Sequence, residues 1–399
     1  MSTSYWQQHA KGPEYRCDIA IVGGGLIGCS VAYWLSRILP DRHVAIVERG
    51  TLASEASGRN AGFLLQGLGS DYGKDCARFG NVRAKRLLRF TRENRDLLFQ
   101  EIGSAAQLEA SGSLVVAGTE TEDNQLQKSV FNLRSDGTPA VYFSPDETRR
   151  RISARGFLGS IYIPSGAVMN PVSLVSAIAK NAKADVLEHH FVQGIEARSD
   201  GAYIETSERV IRAERVVVAV NAWLPTLFPS LSRYVRPIRG QMLATKALSE
   251  RWLDAPIYSH DGYYYVRQTR TGVILAGGAR HLHADKEVGY DSRTTAPVQA
   301  DIEAYLRRHF PKCAGMKVQT RWGGIMGFSP DGLPIVGSLP DIPGSLWAAG
   351  FTGHGLGCGF RLGKLLAEEV ASGGRAEDAD LFTVDRFGSS SSLATAAVS

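Results

Sequence analysis

The sequence predicts an α/β chain of two domains, α+β in overall arrangement. A parallel-sheet domain is assembled from non-contiguous segments, and a mixed-sheet domain is inserted between them. Three observations predict this. Short β-branched runs such as residues 17–22 (CDIAIV) and 215–220 (RVVVAV) read as strands buried on both faces. Helical spacing follows the first of them, and a second β-branched run, 43–47 (HVAIV), follows that helix. Late in the chain, 263–266 and 273–276 flank a turn at 268–272, the pattern of an antiparallel hairpin.

The elements follow in order. Residues 1–14 are a polar lead-in. The strand 17–22 stops at glycines, and apolar residues at helical spacing occupy 28–39 until Pro40 ends them. Strand 43–47 closes on Glu48 and completes a βαβ unit of roughly thirty residues. A loop rich in small residues, 51–65, precedes a basic amphipathic helix at 82–102, a strand at 114–117 and a helix at 122–136. Pro171 opens a helix that runs to 182. Strand-like pieces follow at 186–188, 192–197, 202–206, 210–212 and 215–220, then antiparallel sheet over 234–280 and a helix at 300–309. Strand 346–349 leads through the glycine-rich 350–359 into a last helix ending near 370. The tail 388–399 is of low complexity and is expected to be disordered. This order divides the chain into a first domain of 15–82, 165–225 and 325–375, and a second of 83–164 and 226–324.

Composition excludes several classes. With 44% hydrophobic and 21% charged residues among 399, the chain is an ordinary globular protein, neither fibrous nor wholly disordered. A net charge of +5 without a run of like charges leaves no nucleic-acid footprint. The five cysteines are widely spaced with no CxxC, so neither a zinc site nor a disulfide framework is expected. The start of the chain has no apolar signal segment and no stretch is long enough for a membrane span, so a cytoplasmic location is expected.

The first chemical motif is GGGLIG, which fits GxGxxG as Gly23, Gly25 and Gly28. It follows a strand, opens a helix through Leu26 and Ile27, and is answered by Glu48 twenty residues after Gly28. Gly23 permits the turn, Gly25 lets backbone approach a pyrophosphate, and Gly28 lets helix and strand pack closely. The helix N-terminus favours phosphate, and Glu48 is suited to the ribose hydroxyls. A dinucleotide is indicated, and the motif alone does not separate FAD from NAD. The second constellation, SEASGRNAGFLL, contains Ser57, Arg59, Asn60, Ala61 and Gly62 and suits a loop running along an extended cofactor; a plain solvent loop is its alternative. The third, WAAGFTGHGL at 347–356, is another strand–glycine–helix junction, which suits a flavin better than a nicotinamide.

Together with VAVNAW (218–223), RPIRGQ (236–241) and SPDGLPIVG (329–337), these motifs resemble the D-amino-acid-oxidase-like superfamily of FAD-dependent oxidoreductases. ASGRNAG and GHG look most similar to its gamma-glutamylputrescine-oxidase-like members, beside the glycine-oxidase-like and sarcosine-oxidase-like ones. The resemblance implies a Rossmann-like FAD-binding domain and an inserted mixed-sheet substrate domain. It implies hydride transfer from a carbon beside nitrogen to the flavin, giving an imine that water hydrolyses, with oxygen or another acceptor reoxidising the flavin. It also extends the cofactor-binding set to Arg49, Val192, Asn221, Trp223, Gly240, Gly353, His354, Gly355 and Leu356. Catalytic candidates are His354, Tyr263, Tyr265 and Arg267. The alternating hairpin would put both tyrosines and Arg267 on one face, walling an amine site and taking a substrate anion. Ordinary sheet packing with Arg267 exposed is the alternative.

Five departures from the family pattern shape the expectation. Gly324 stands where a flavin-linking cysteine would be, and no histidine stands near Arg59, so FAD is expected to be non-covalent. Met326 and Gly357 stand where family members hold a substrate carboxylate, so a small free α-amino acid is disfavoured. Leu275 or Ala276 occupies the place of an oxygen-activating lysine, which leaves open whether oxygen, a quinone or a protein takes the electrons. The substrate partner is a small amine or amino-acid-like molecule, and no metal is expected.

Overall fold

The computed structural model describes residues 12–67 and 71–388. The expected polar lead-in falls largely outside them, as does all of the expected disordered tail except Gly388. The described chain divides into two compact units. The first comprises residues up to Gly58, Val172–Pro237 and Met326 onward; the second comprises Arg59–Pro171 and Ile238–Ile325.

The first unit is built on a sheet in which Leu346–Ala349, Val210–Val218, Tyr15–Val22, Val44–Val47 and Asp185–Leu187 lie side by side and parallel. Ala20 sits between Ala45 and Val216 in register. Ile335–Gly337 adds an antiparallel edge beside Leu346–Ala349. On the run-in of Val210–Val218, Gly201–Thr206 and then Val192–Arg198 add antiparallel strands. The continuous apolar runs are explained by their burial: Ile19, Ala20, Ile21, Ala45, Ile46 and Val216 are at most 2% exposed. One strand spans Val210–Val218 where two short ones were expected. Its first half pairs with Gly201–Thr206 and its second with Leu346–Ala349, so half-polar and fully apolar stretches belong to one strand.

Two helices cover this sheet and pack on each other, Leu26–Ile38 and Gly355–Ser372. A Cβ on Gly359 would lie 2.8 Å from Leu26 Cδ2, and one on Gly363 would lie 2.4 Å from Ser30 Cβ. Residue numbers rise together across this contact, so the helices run parallel and their N-termini lie at the same end. Trp34 seals the seam by donating its indole N–H to the Phe360 carbonyl at 3.1 Å.

The second unit holds a mixed sheet in the order Val318–Phe328, Arg236–Thr245, Ile274–Gly278, Tyr264–Gln268, Ile257–Ser259, Ser113–Val116, Ser160–Ile163, Val141–Phe143. Ile257–Ser259 and Ser113–Val116 pair in parallel, while the hairpin strands Tyr264–Gln268 and Ile274–Gly278 are antiparallel. Residues 59–82 and 165–171, assigned from sequence to the first domain, cluster here instead, and 226–237, assigned to the second, cluster with the first. Phe63–Leu64 pairs with Ala167–Val168, and that short ladder ties both segments to this unit. The helices Tyr72–Phe79 and Pro145–Ile152 had no apolar periodicity to announce them; each is opened by a capping side chain, Asp71 and Ser144.

Gly363→Ala tests the helix seam. Overpacking costs about 1–3 kcal/mol, against up to ~1 kcal/mol gained in helix propensity. A net loss of about 1–2 kcal/mol in denaturant unfolding is expected; unchanged stability would show that the seam yields.

Candidate functional site

The glycine turn is built as its spacing requires. Gly23 has φ +112°, and a Cβ there would lie 2.6 Å from the Ala219 carbonyl oxygen. A Cβ on Gly28 would lie 1.9 Å from the Gly23 carbonyl oxygen, so the helix can start this close to the strand only without a side chain. Gly25 caps the helix with no side-chain acceptor of its own; the Ser57 hydroxyl accepts from Leu26 N–H at 2.9 Å. Neither this helix nor Gly355–Ser372 carries an acidic residue in its first turn, so both positive dipole ends are left for an external anion.

Glu48 is buried, and its carboxylate is already oriented. Oε2 accepts from Gly24 N–H at 2.7 Å and Oε1 from Gly50 N–H at 2.8 Å. Each oxygen retains a second lone pair for a ribose hydroxyl. Next to it, the Arg49 guanidinium lies 3.7 Å from the Trp223 ring centroid and pairs with Glu55. Asn221 adopts φ +46° and its side-chain oxygen accepts from Gly350 N–H at 3.0 Å. That bond ties the end of the central strand to the late junction. There Gly350, Thr352 and Gly353 all have positive φ, and His354 is the N-cap of the helix containing Gly355 and Leu356. Val192 stands apart from this group, buried in the strand core of the unit.

The second unit brings together another set of predicted residues. Arg59 Nη1 donates to the Gly323 carbonyl at 3.0 Å, and Trp322 returns its indole N–H to the Arg59 carbonyl at 2.9 Å. The Asn60 side chain accepts from Gly62 N–H at 2.8 Å, a local turn that fixes Ala61 and Gly62. Gly240 is a half-buried strand residue.

Arg267 is neither exposed nor directed to an anion through its bonded nitrogen. Its Nη1 donates to the Gly62 and Met169 carbonyls at 3.0 and 2.9 Å. Burial lowers its pKa from the ordinary guanidinium value, which its own fold pairing with two dipoles tolerates. Tyr265 packs face-on with Tyr258, ring centroids 5.9 Å apart, and edge-on to Phe63. Tyr263 does not share that face. The strand starts only at Tyr264, after positive-φ residues His260, Asp261 and Gly262, and Tyr263 turns to the other side and packs on His281 at 4.4 Å. His283 is paired with Asp301 at 2.6 Å. Sequence reading missed Tyr258 and Trp322, both single aromatics in strands without a motif. It also missed Gly359 and Gly363, although their four-residue spacing was visible.

Among the described residues no cluster of His, Cys, Asp and Glu could hold a metal ion, and no helix is long and apolar enough to cross a membrane. With the geometry in place, the comparisons with known proteins identify its class. Residues 18–369 match the family model for FAD dependent oxidoreductases of the DAO type, and the chain belongs to that family. It is therefore an FAD-dependent oxidoreductase with a Rossmann-like FAD-binding fold. It is 28% identical over 383 residues to a glycine oxidase of Geobacillus kaustophilus, covering 93% of this chain and 97% of the relative. It is 26% identical over 381 residues to the gamma-glutamylputrescine oxidoreductase of Escherichia coli, covering 92% and 86%. The crystal structure of an L-proline dehydrogenase from P. horikoshii shares the fold with a TM-score of 0.80 at 19% identity, covering 94% of this chain and 98% of that one.

The glycine turn, Glu48 and the two unblocked helix ends fit FAD: a pyrophosphate matches the positive termini, and a ribose matches the oriented carboxylate. Glu48→Gln replaces one accepting oxygen by a donor facing an N–H. An apparent FAD affinity lower by about tenfold to a hundredfold is expected, the worth of one charged hydrogen bond. Fluorescence titration of the apoprotein measures it, with thermal unfolding as the folding control; an unchanged affinity would remove Glu48 from the site.

Proposed function

We propose that this chain oxidises a carbon–nitrogen bond of an amine or N-substituted amino acid. When bound, FAD supplies the two-electron acceptor for the hydride that leaves the carbon beside nitrogen. The substrate is left as an imine, and water hydrolyses it to a carbonyl compound and a free amine. The relatives' names, glycine oxidase and gamma-glutamylputrescine oxidoreductase, support this substrate range.

The observation that carries the choice of a larger amine lies in the first unit. Where the resemblance puts a carboxylate-holding cation, Met326 packs its sulfur 3.6 Å from where a Gly353 side chain would begin. The other such position, Gly357, is buried in the late helix. A free α-carboxylate would meet no charge at either place, and an unpaired charge is costly to desolvate.

The chain's own residues have distinct tasks in this reading. The first unit's glycine turn, Glu48 and late helix hold the cofactor, with His354 at the head of that helix. In the second unit Tyr265 and Tyr258 present apolar faces to the alkyl part of the substrate. Burial keeps their hydroxyls protonated, pushing Tyr258 up to about 12 and Tyr265 higher. Arg267 is a positioning residue, holding Gly62 and Met169. FAD is non-covalent: at position 324 a glycine packs against the stem of Arg59, a Cβ there falling 3.0 Å from Arg59 Cβ, and neither position offers a linking nucleophile. The five cysteines are free thiols, which supports a reducing compartment, the cytoplasm.

Anaerobic mixing of the holoenzyme with a panel of primary and secondary amines tests the proposal. Bleaching of the flavin by at least one longer amine, at lower concentration than glycine requires, is expected; a flavin that no amine bleaches would refute it. The acceptor follows from the same panel in air. Stoichiometric H2O2 identifies oxygen, whereas dye reduction without H2O2 identifies a dehydrogenase serving a quinone or protein.

Arg267→Leu should lower the thermal midpoint, because the buried Met169 carbonyl loses its donor at about 1–3 kcal/mol, while the Gly62 carbonyl keeps the Met169 N–H. A variant as stable as the parent, but with a selectively raised amine KM, would instead make Arg267 a substrate ligand.

A further inference from the structure

The second unit holds a cavity of about 30 Å³, lined among others by Gln66, Asp71, Asp75, Ser129 and Tyr258. At roughly 10–15 Å³ per water-sized occupant, it takes one small polar group, or two. Its polar lining brings together the side-chain oxygens of Gln66, Asp71 and Asp75. Gln66 is 8% exposed, and its Oε1 is fully buried with no hydrogen-bond partner among the described residues. An acceptor buried in that way costs about 1–3 kcal/mol, which a donor from outside the chain would recover. No described residue donates to the Asp75 carboxyl group. Asp71 accepts from Gly73 N–H at 2.8 Å and from the Ser129 hydroxyl, both neutral donors.

Three of the donors nearby are engaged with carboxylates outside the cavity. Tyr72 donates to Asp136 at 2.7 Å, Lys85 pairs with Asp136 at 2.9 Å, and Lys74 pairs with Asp261. Burial and then Asp71 push the Asp75 carboxyl up to about 7, and only Arg78 opposes them. A positive group in the cavity would relieve both penalties together. A primary ammonium has the required size, one charge and three donors for three acceptors.

Tyr258 connects this cavity to the aromatic cluster. It lines the cavity and stacks on Tyr265, and both pack with Phe63, Met242 and Trp322. An alkyl chain lying on that cluster would reach the cavity with its far end.

We propose that the Gln66–Asp71–Asp75 cavity is the subsite for a distal primary ammonium of the substrate, which makes the substrate class diamines and related amines with a second cationic nitrogen. This rests on the amine-oxidising reading above. The two can nevertheless fail separately.

The test uses the FAD-loaded full chain and two readouts. Straight α,ω-diamines of three to six carbons are compared with n-alkylamines of equal length in anaerobic flavin bleaching. The best diamine is expected to half-saturate at a concentration at least about tenfold below its monoamine, the worth of one charged hydrogen bond. Asp75→Asn and Gln66→Leu should each shrink that ratio to within about twofold. In parallel, methylammonium chloride should raise the thermal midpoint of the parent above that in tetramethylammonium chloride at equal ionic strength, and should not do so for Asp75→Asn. Gln66→Leu removes no charge and serves if Asp75→Asn folds poorly. Equal half-saturation by diamine and monoamine, or a ratio unmoved in both variants, overturns the subsite and leaves the amine reading intact. No bleaching by any amine, with the methylammonium shift present and lost in Asp75→Asn, overturns the amine reading and leaves a cation site. Neither bleaching nor shift overturns both.

Discussion

The arrangement of the first unit depends on how closely two parallel helices approach each other. Leu26–Ile38 and Gly355–Ser372 meet where Gly359 and Gly363 present bare backbone to Leu26 and Ser30. Their parallel course places two positive helix ends at the same end of the pair. Each is equivalent to roughly half an elementary charge, and neither is neutralised by an acid in its own first turn. A chain that leaves such ends open favours an anion there. Glu48, the acid that might have opposed it, is held by Gly24 and Gly50 N–H groups, which spread its charge into the backbone and fix it for hydroxyl recognition.

The same logic runs through the second unit, where polar side chains spend their bonds on backbone. Arg267 ties Gly62 to Met169, Arg59 ties to Gly323, and Trp322 ties back to Arg59. The buried Arg239–Glu287 pair, 2.6 Å apart, with Gln241 bonded to the same carboxylate, fixes the RPIRGQ strand to the segment around 287–295. These contacts hold loops without regular structure in one conformation. They leave the aromatic cluster and the acceptor-lined cavity as the parts of the unit with capacity to bind something.

Where local chemistry and fold agree, the sequence was readable. Residues 17–22 and 346–349 are strands because buried parallel strands are apolar throughout, and the glycines after them are required by contacts under 3 Å. The βαβ unit with Glu48, and the late junction, were legible for the same reason. Legibility failed where a side chain's direction is set by its neighbours. Tyr263, Tyr265 and Arg267 alternate in sequence, yet a positive-φ turn through Gly262 delays the strand by one residue and sends Tyr263 to the other side. The segment 59–82 looked continuous with the glycine-rich loop before it, but its partner strand Ala167–Val168 is a hundred residues away and no local pattern announces that pairing. Gln66, Asp71 and Asp75 likewise form no motif; only folding gathers them.

Non-covalent flavin at the two glycine-opened helices is what the proposed chemistry requires. The most direct measurement is the visible absorbance spectrum of the purified protein, taken again on the supernatant after acid precipitation. A flavin spectrum that passes wholly into the supernatant, identified there as FAD, is the predicted result. A colourless protein that FAD does not reconstitute would contradict the cofactor assignment, and colour retained in the pellet would contradict the non-covalent attachment read from Gly324 and Arg59.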